Sequence, residues 1–195
     1  SVTGTWPIVT VATPVISPVS GTYYTNQTVS ISCATDGSTI YYTTNGNDPT
    51  TSSTPYSGQF QVTQTTTVKA IAVKVGMADS AIATVNYVLP IPVANIAALR
   101  AGTPGTTLYK LTGEALLTFQ HAVNNSKWIE DATGAIMIYD PSAKITSSYS
   151  IGDKIQNIIG TLTSYHSLLE FVPVTDPGAA VSSGNPVVPT ERTLS

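Results

Sequence analysis

The chain has 195 residues and a formal net charge of −3, with 10% charged and 42% hydrophobic residues. That hydrophobic content excludes a disordered, solvated tail, and the charged fraction is well under the roughly 25% of an average soluble domain. Residues 1–90 carry a net −1 and residues 91–195 a net −2, so neither half has the basic cluster that a phosphate-binding surface needs.

Residues 1–12 read as an N-terminal extension of a mature form or an excised fragment, without a signal peptide. Strand character starts at residues 11–16. In residues 28–34, Val29, Ile31 and Cys33 alternate with Thr28, Ser30 and Ser32, the period of a half-buried strand. Cys33 is the single cysteine, so no internal disulfide forms, and the alternation predicts a buried, small apolar residue. Asp36-Gly37 turns the chain into a strand at 39–44, with Ile40, Tyr42 and Thr44 on one face. Asn45-Gly46 then tolerates positive φ, and Asp48-Pro49 offers a side-chain cap and a fixed φ. A short strand at 59–63, a longer one at 65–75 closed by Gly76, and a last one at 80–88 complete the block. Five to seven short strands at close turn spacing predict an immunoglobulin-like β-sandwich over residues 13–89.

Three stretches of this block carry a family signature: Pro18-Val19-Ser20-Gly21-Thr22-Tyr23, then Thr39 to Thr50, then Thr67-Val68-Lys69-Ala70-Ile71-Ala72-Val73-Lys74. Together they resemble the fibronectin-III-associated, or chitobiase/hexosaminidase C-terminal, type of β-sandwich in secreted bacterial proteins. The resemblance implies an accessory unit, a spacer or a binding module, and not a catalyst. Asp79-Ser80-Ala81 is also similar to a short acceptor motif for bacterial surface O-glycosylation.

Two prolines one residue apart, Pro90 and Pro92, predict a semi-rigid linker at 90–93. Beyond it, residues 93–102 have the texture of a short helix, with Asn95 as N-cap and Gly102 as stop. Strands are predicted at 109–119, 128–131, 135–139, 154–165 and 168–174, with Asp131-Ala132-Thr133-Gly134 as the hairpin between the second and third. Five strands and a short helix over residues 94–195, the last of them an 18-residue tail rich in Val, Pro, Ser and Thr, fit an oligonucleotide/oligosaccharide-binding (OB-type) barrel. Thr112-Gly113-Glu114, residues 128–136 and residues 151–155 resemble the OB-type barrels of surface proteins in Bacteroides-like bacteria. They are also similar to the barrel attached to some secreted nucleases. The fold class expected is therefore all-β: a sandwich followed by a five-stranded barrel.

Chemistry-bearing residues are sparse. His121 and His166 fall in loops, without the spacing of a zinc site. Glu130 and Asp131 are adjacent and point to opposite faces of a strand, while Asp131 and Asp140 sit at opposite ends of the next one, so turn capping is expected of them rather than acid–base work. There is no phosphate loop and no nucleophile elbow. The expectation is a non-catalytic chain without metal or cofactor. Aromatic residues suit recognition better: Trp128, Met137 and Tyr139 fall opposite the inward Ile129, Ile136 and Ile138, and with Lys127 and Phe119 they make a candidate aromatic-plus-cation patch. In the barrels that this block resembles, the second and third strands present the ligand platform. Tyr23, Tyr24, Tyr41 and Tyr56 offer a second candidate surface on the sandwich.

The reading that follows is an accessory pair of modules from a larger secreted or cell-surface bacterial protein, serving carbohydrate recognition or spacing. Its expected partners are a glycan or another extracellular ligand and further domains of the same polypeptide. No stretch of 18 apolar residues offers a membrane span. The alternative is the nucleic-acid-binding accessory region of a secreted nuclease, which requires Lys110, Lys127, Lys144 and Lys154 to converge beside Trp128.

Overall fold

The computed structural model describes residues 9–188; residues 1–8, with Trp6, and residues 189–195 of the tail lie outside that range. Apart from one five-residue helix and a 3-10 turn, the regular structure described is all β, and the chain divides into two compact units at Leu89 and Pro90.

The first unit is a β-sandwich. One sheet pairs β1 (Val15–Ser17) with β3 (Gln27–Ser32) and β3 with β6 (Phe60–Val62). The other runs β2 (Gly21–Thr22), β8 (Ala83–Val88), β7 (Thr66–Val73), β4 (Thr39–Thr43) and β5 (Thr54–Pro55). Strand alternation does what the sequence predicts: Val29 and Ile31 from one sheet meet Val68, Ala70, Val85 and Tyr87 from the other in one buried core. Ile40 and Tyr42 share the core face, and the Tyr42 ring stacks on Phe60 at 4.6 Å.

The turn after β4 uses Gly46 at φ +81°, while the Asn45 side chain accepts from the Asn47 N–H. Asp48 makes no backbone cap there; its carboxylate pairs with Lys69 of β7 at 2.7 Å. Cys33 lies just beyond β3 and is half-buried, not a core residue. Its thiol donates to the Ala12 carbonyl and accepts from the Thr35 N–H. The supposed extension also joins the unit: Val11 is buried and its N–H donates to the Ala78 carbonyl, while the Ala78 N–H donates to the Val9 carbonyl. Ser80 is 7% exposed, with its hydroxyl bonded to the Ala72 N–H and the Ala81 carbonyl, which removes it as a glycosylation acceptor.

The second unit starts inside the predicted linker, because residues 91–93 form β9 (Ile91–Val93), parallel to β10 (Leu108–Leu111). Pro92 is accommodated because β9 is an edge strand. Helix α1 (Ile96–Arg100) follows, capped as predicted by the Asn95 side chain accepting from the Ala98 N–H at 2.8 Å. Gly102 is needed for closeness and not as a left-handed stop: a Cβ there would lie 2.7 Å from the Tyr109 ring.

The predicted long first strand is two strands, β10 and β11 (Ala115–His121), with a break at residues 112–114. After a 3-10 turn at Val123–Asn125 come β12 (Ser126–Asp131) and β13 (Gly134–Ile138). The fourth predicted strand is also divided, into β14 (Lys154–Ile155) and β15 (Ile158–Tyr165), and β16 (Leu168–Pro173) is the last. They form one ladder in the order β14, β11, β12, β13, β16, β15, β10, β9, with β13 and β16 parallel. In a flat sheet β11 and β10 would stand five strand spacings apart, roughly 24 Å. Only residues 112–114 join them, so the ends of Leu111 and Ala115 can be at most ~14 Å apart. The sheet therefore curls into a half-barrel around Leu117, Ile129, Ile138, Leu162 and Phe171, with Ile96 and Leu99 of α1 buried in the same core.

Candidate functional site

Cross-strand register lines up one row on the outer face of the half-barrel: Phe119 of β11, Trp128 of β12, Met137 of β13, Glu170 of β16 and Thr163 of β15. Residues directly opposite in a ladder share a face, so five strands bring this row together. Phe119 joins it through a bulge. Leu117 faces the core opposite Ile129, and strict alternation would send Phe119 inward as well. The register shift between Leu117 and Phe119 turns its ring outward, edge-on to Trp128 with centroids 5.2 Å apart. The Thr118 hydroxyl in the bulge donates to the Trp128 carbonyl. Phe119 is 50% exposed and Trp128 half-buried.

Lys127 does not belong to the patch. It sits opposite Ile138 on the core-facing row, is 8% exposed, and donates to the Asn125 carbonyl. Neighbours on a strand point to opposite faces, so Lys127 and Trp128 cannot present charge and ring together. The other lysines do not gather there either. Lys154 pairs with Glu114, Lys110 lies on β10 opposite Ile159, and Lys144 is exposed in the loop after β13.

Beside the aromatic pair the same face hollows into an open groove of about 850 Å³. Met137 and Tyr139 line it from the β13 side, Thr161 and Thr163 from β15, and Glu170 and Val172 from β16. Ser126 adds a hydroxyl, and Tyr165, 63% exposed, stands at the β15–β16 turn. That turn is tight, with His166 and Ser167 both at positive φ. Tyr139 lies one residue past β13, where its N–H still bonds the Phe171 carbonyl. Of the residues expected to bind, Met137 and Tyr139 line the groove, Phe119 and Trp128 continue its face, and Lys127 is excluded. Glu170 was not anticipated: its position in an apolar run gives no cue that a parallel strand would set it beside Met137.

The other acids act as caps. One Asp131 oxygen accepts from the Thr133 N–H, the Thr133 hydroxyl and the Gly134 N–H, closing the β12–β13 hairpin; the other accepts from the Ile96 N–H at the start of α1. Burial alone would raise this carboxyl, but those bonds hold it below the ordinary range. Asp140, 1% exposed, accepts from the Lys144 and Ile145 N–H groups. His121 accepts from the Val123 N–H through Nδ1. Among the described residues, no group of three or more His, Cys, Asp or Glu could hold a metal ion, and no helix is long and apolar enough to cross a membrane.

On the sandwich, Tyr23 donates to the Val19 carbonyl and packs 5.9 Å from Tyr87, while Tyr42 and Tyr56 meet edge-on; Tyr24 is exposed and Tyr41 half-buried. Tyr23 and Tyr56 thus pack against the core and do not form an exposed platform with Tyr24.

The family model described as "Chitobiase/beta-hexosaminidase C-terminal domain" matches residues 18–84, about a third of the chain and all within the sandwich. No curated protein and no solved structure matches the chain.

Proposed function

We propose that this chain is a non-catalytic, carbohydrate-recognising accessory region of a larger secreted or surface-exposed bacterial protein, with the outer face of the second unit as its binding surface. The sandwich supports the accessory part, since the matched family is by its description a C-terminal domain of glycan-processing enzymes. An OB-type reading of the second unit is supported by the ladder order, by the parallel β13–β16 pair, and by a split first strand whose halves stand on opposite sides of the curl.

The observation that carries the binding proposal is the outward Phe119–Trp128 pair beside a groove lined by tyrosine, methionine and hydroxyls. Aromatic faces stack on the apolar faces of sugar rings, and hydroxyls answer the sugar's own. The dispersed and paired lysines disfavour a nucleic acid on this face.

The test is titration of Trp128 fluorescence with a panel of oligosaccharides in a Trp6→Phe background. A saturable change is expected with at least one glycan. Tyr139→Ala should weaken that binding about tenfold, a loss of ~1.4 kcal/mol. Absence of any response across the panel removes the recognition reading and leaves a spacer.

A further inference from the structure

Among the described residues, Glu170 is the one charged residue lining the groove. It is 5% exposed, yet its carboxylate has no hydrogen bond and no ion pair among the described residues. No fully buried side-chain oxygen lacks a partner among those residues, so the carboxylate opens onto the groove and is not sealed beneath it. Among the described residues, no lysine, arginine or histidine lines the groove to balance it. Its ladder partners are Met137 and Thr163, neither of them a cation.

A carboxylate this enclosed and unpaired contributes nothing to the fold that a neutral side chain of the same shape would not, and it costs desolvation. Its chemistry is that of a counter-charge for something outside the protein. Apolar Met137 and Val172 line the groove with it. Thr163 stands opposite it in the ladder, and Ser126 and Thr161 line the same groove.

We propose that the groove selects glycans bearing a free, protonated amine, that is, amino sugars without an N-acyl group, and that Glu170 is the residue that selects them. This rests on the carbohydrate reading above. An ammonium brings a full opposite charge and three donors to a carboxylate that lacks both. Acylation removes the charge and leaves Glu170 facing a neutral amide. A uronic, sulfated or phosphorylated sugar brings like charge and is repelled.

Calorimetric titration of the whole chain at mildly acid pH tests this with two probes, a glucosamine tetramer and an N-acetylglucosamine tetramer. The unsubstituted tetramer is expected to bind about tenfold more tightly, the usual scale of a charge-assisted hydrogen bond. Glu170→Gln preserves shape and should bring the two affinities together. Met137→Lys places a cation opposite Glu170 in the ladder and should also erase the preference, while Tyr139→Ala should weaken both tetramers alike. Thermal melts of each variant report whether it folds. Equal binding of the two tetramers by the unaltered chain, or a preference that survives Glu170→Gln, overturns the amine proposal and leaves carbohydrate recognition standing. No binding of either tetramer, with binding of a neutral oligosaccharide from the wider panel, does the same. Failure of every glycan, with capture of a lysine peptide at the groove, overturns both.

Discussion

Asp131 ties three pieces of chain together through one carboxylate: the β12–β13 turn, the strand that precedes it and the start of α1. Its folded-state pKa is depressed, so its contribution is complete above the unfolded carboxylate value of about 3.9 and is lost as pH falls through the lower folded value. The melting temperature of the second unit should therefore drop with acidification across that window, and Asp131→Asn should flatten this part of the profile. At neutral pH, Asp131→Ala should cost about 2 kcal/mol, the upper range for a capping side chain, read from denaturant midpoints. This role was legible in the sequence, since Asp-x-Thr-Gly between two alternating runs is turn chemistry; the additional bond to Ile96 was not, because it joins residues 35 apart. Lys127 and Phe119 show the limit of the period-2 rule. Adjacency separated Lys127 from the patch it was grouped with, and a one-residue bulge with no sequence signature brought Phe119 into it.

At the scale of elements, α1 has five residues, too few to stand alone in water. It persists through Ile96 and Leu99, both fully buried, and through the Asn95 cap. Leu99→Ala should destabilise the second unit by about 2–5 kcal/mol and expose the half-barrel core to a hydrophobic dye. The break between β10 and β11 makes a second prediction. A Cβ on Gly113 would lie 2.2 Å from the Ala94 carbonyl oxygen, a backbone atom that cannot step aside alone. Gly113→Ala should cost about 1–3 kcal/mol by denaturant titration, whereas the same change at Gly58, which has open space, should cost little. The sequence blurred this break because apolar residues continue on both sides of residues 112–114, so one long strand and two short ones read alike.

For the whole molecule, each unit closes its own core, one around Val29, Val68 and Tyr87 and the other around Leu117, Ile129 and Phe171. Residues 1–89 and 90–195 expressed apart should each melt cooperatively near the temperature they show in the intact chain. A fragment that unfolds by itself would mean that stability is shared across the division. The change of texture after residue 88 was visible in the sequence. The strand inside the Pro90–Pro92 stretch was not, since proline on an edge strand and proline in a linker look the same until the neighbouring strand is known.

β2 and β8 run parallel near the two ends of the first unit, with Gly21 opposite Tyr87 and Thr22 opposite Val88, and the Tyr23 N–H adds a bond to the Val88 carbonyl. Tension along the polypeptide would pull these strands lengthwise past each other, so their bonds must fail together and not one after another as in a zipper. On the surface-exposed reading proposed above, the chain would meet such loads between a cell and its surroundings. Stretching single molecules by residues 9 and 89 should give one abrupt rupture for this unit, and Tyr23→Pro, which removes the N–H that donates to the Val88 carbonyl, should lower the force at which it occurs.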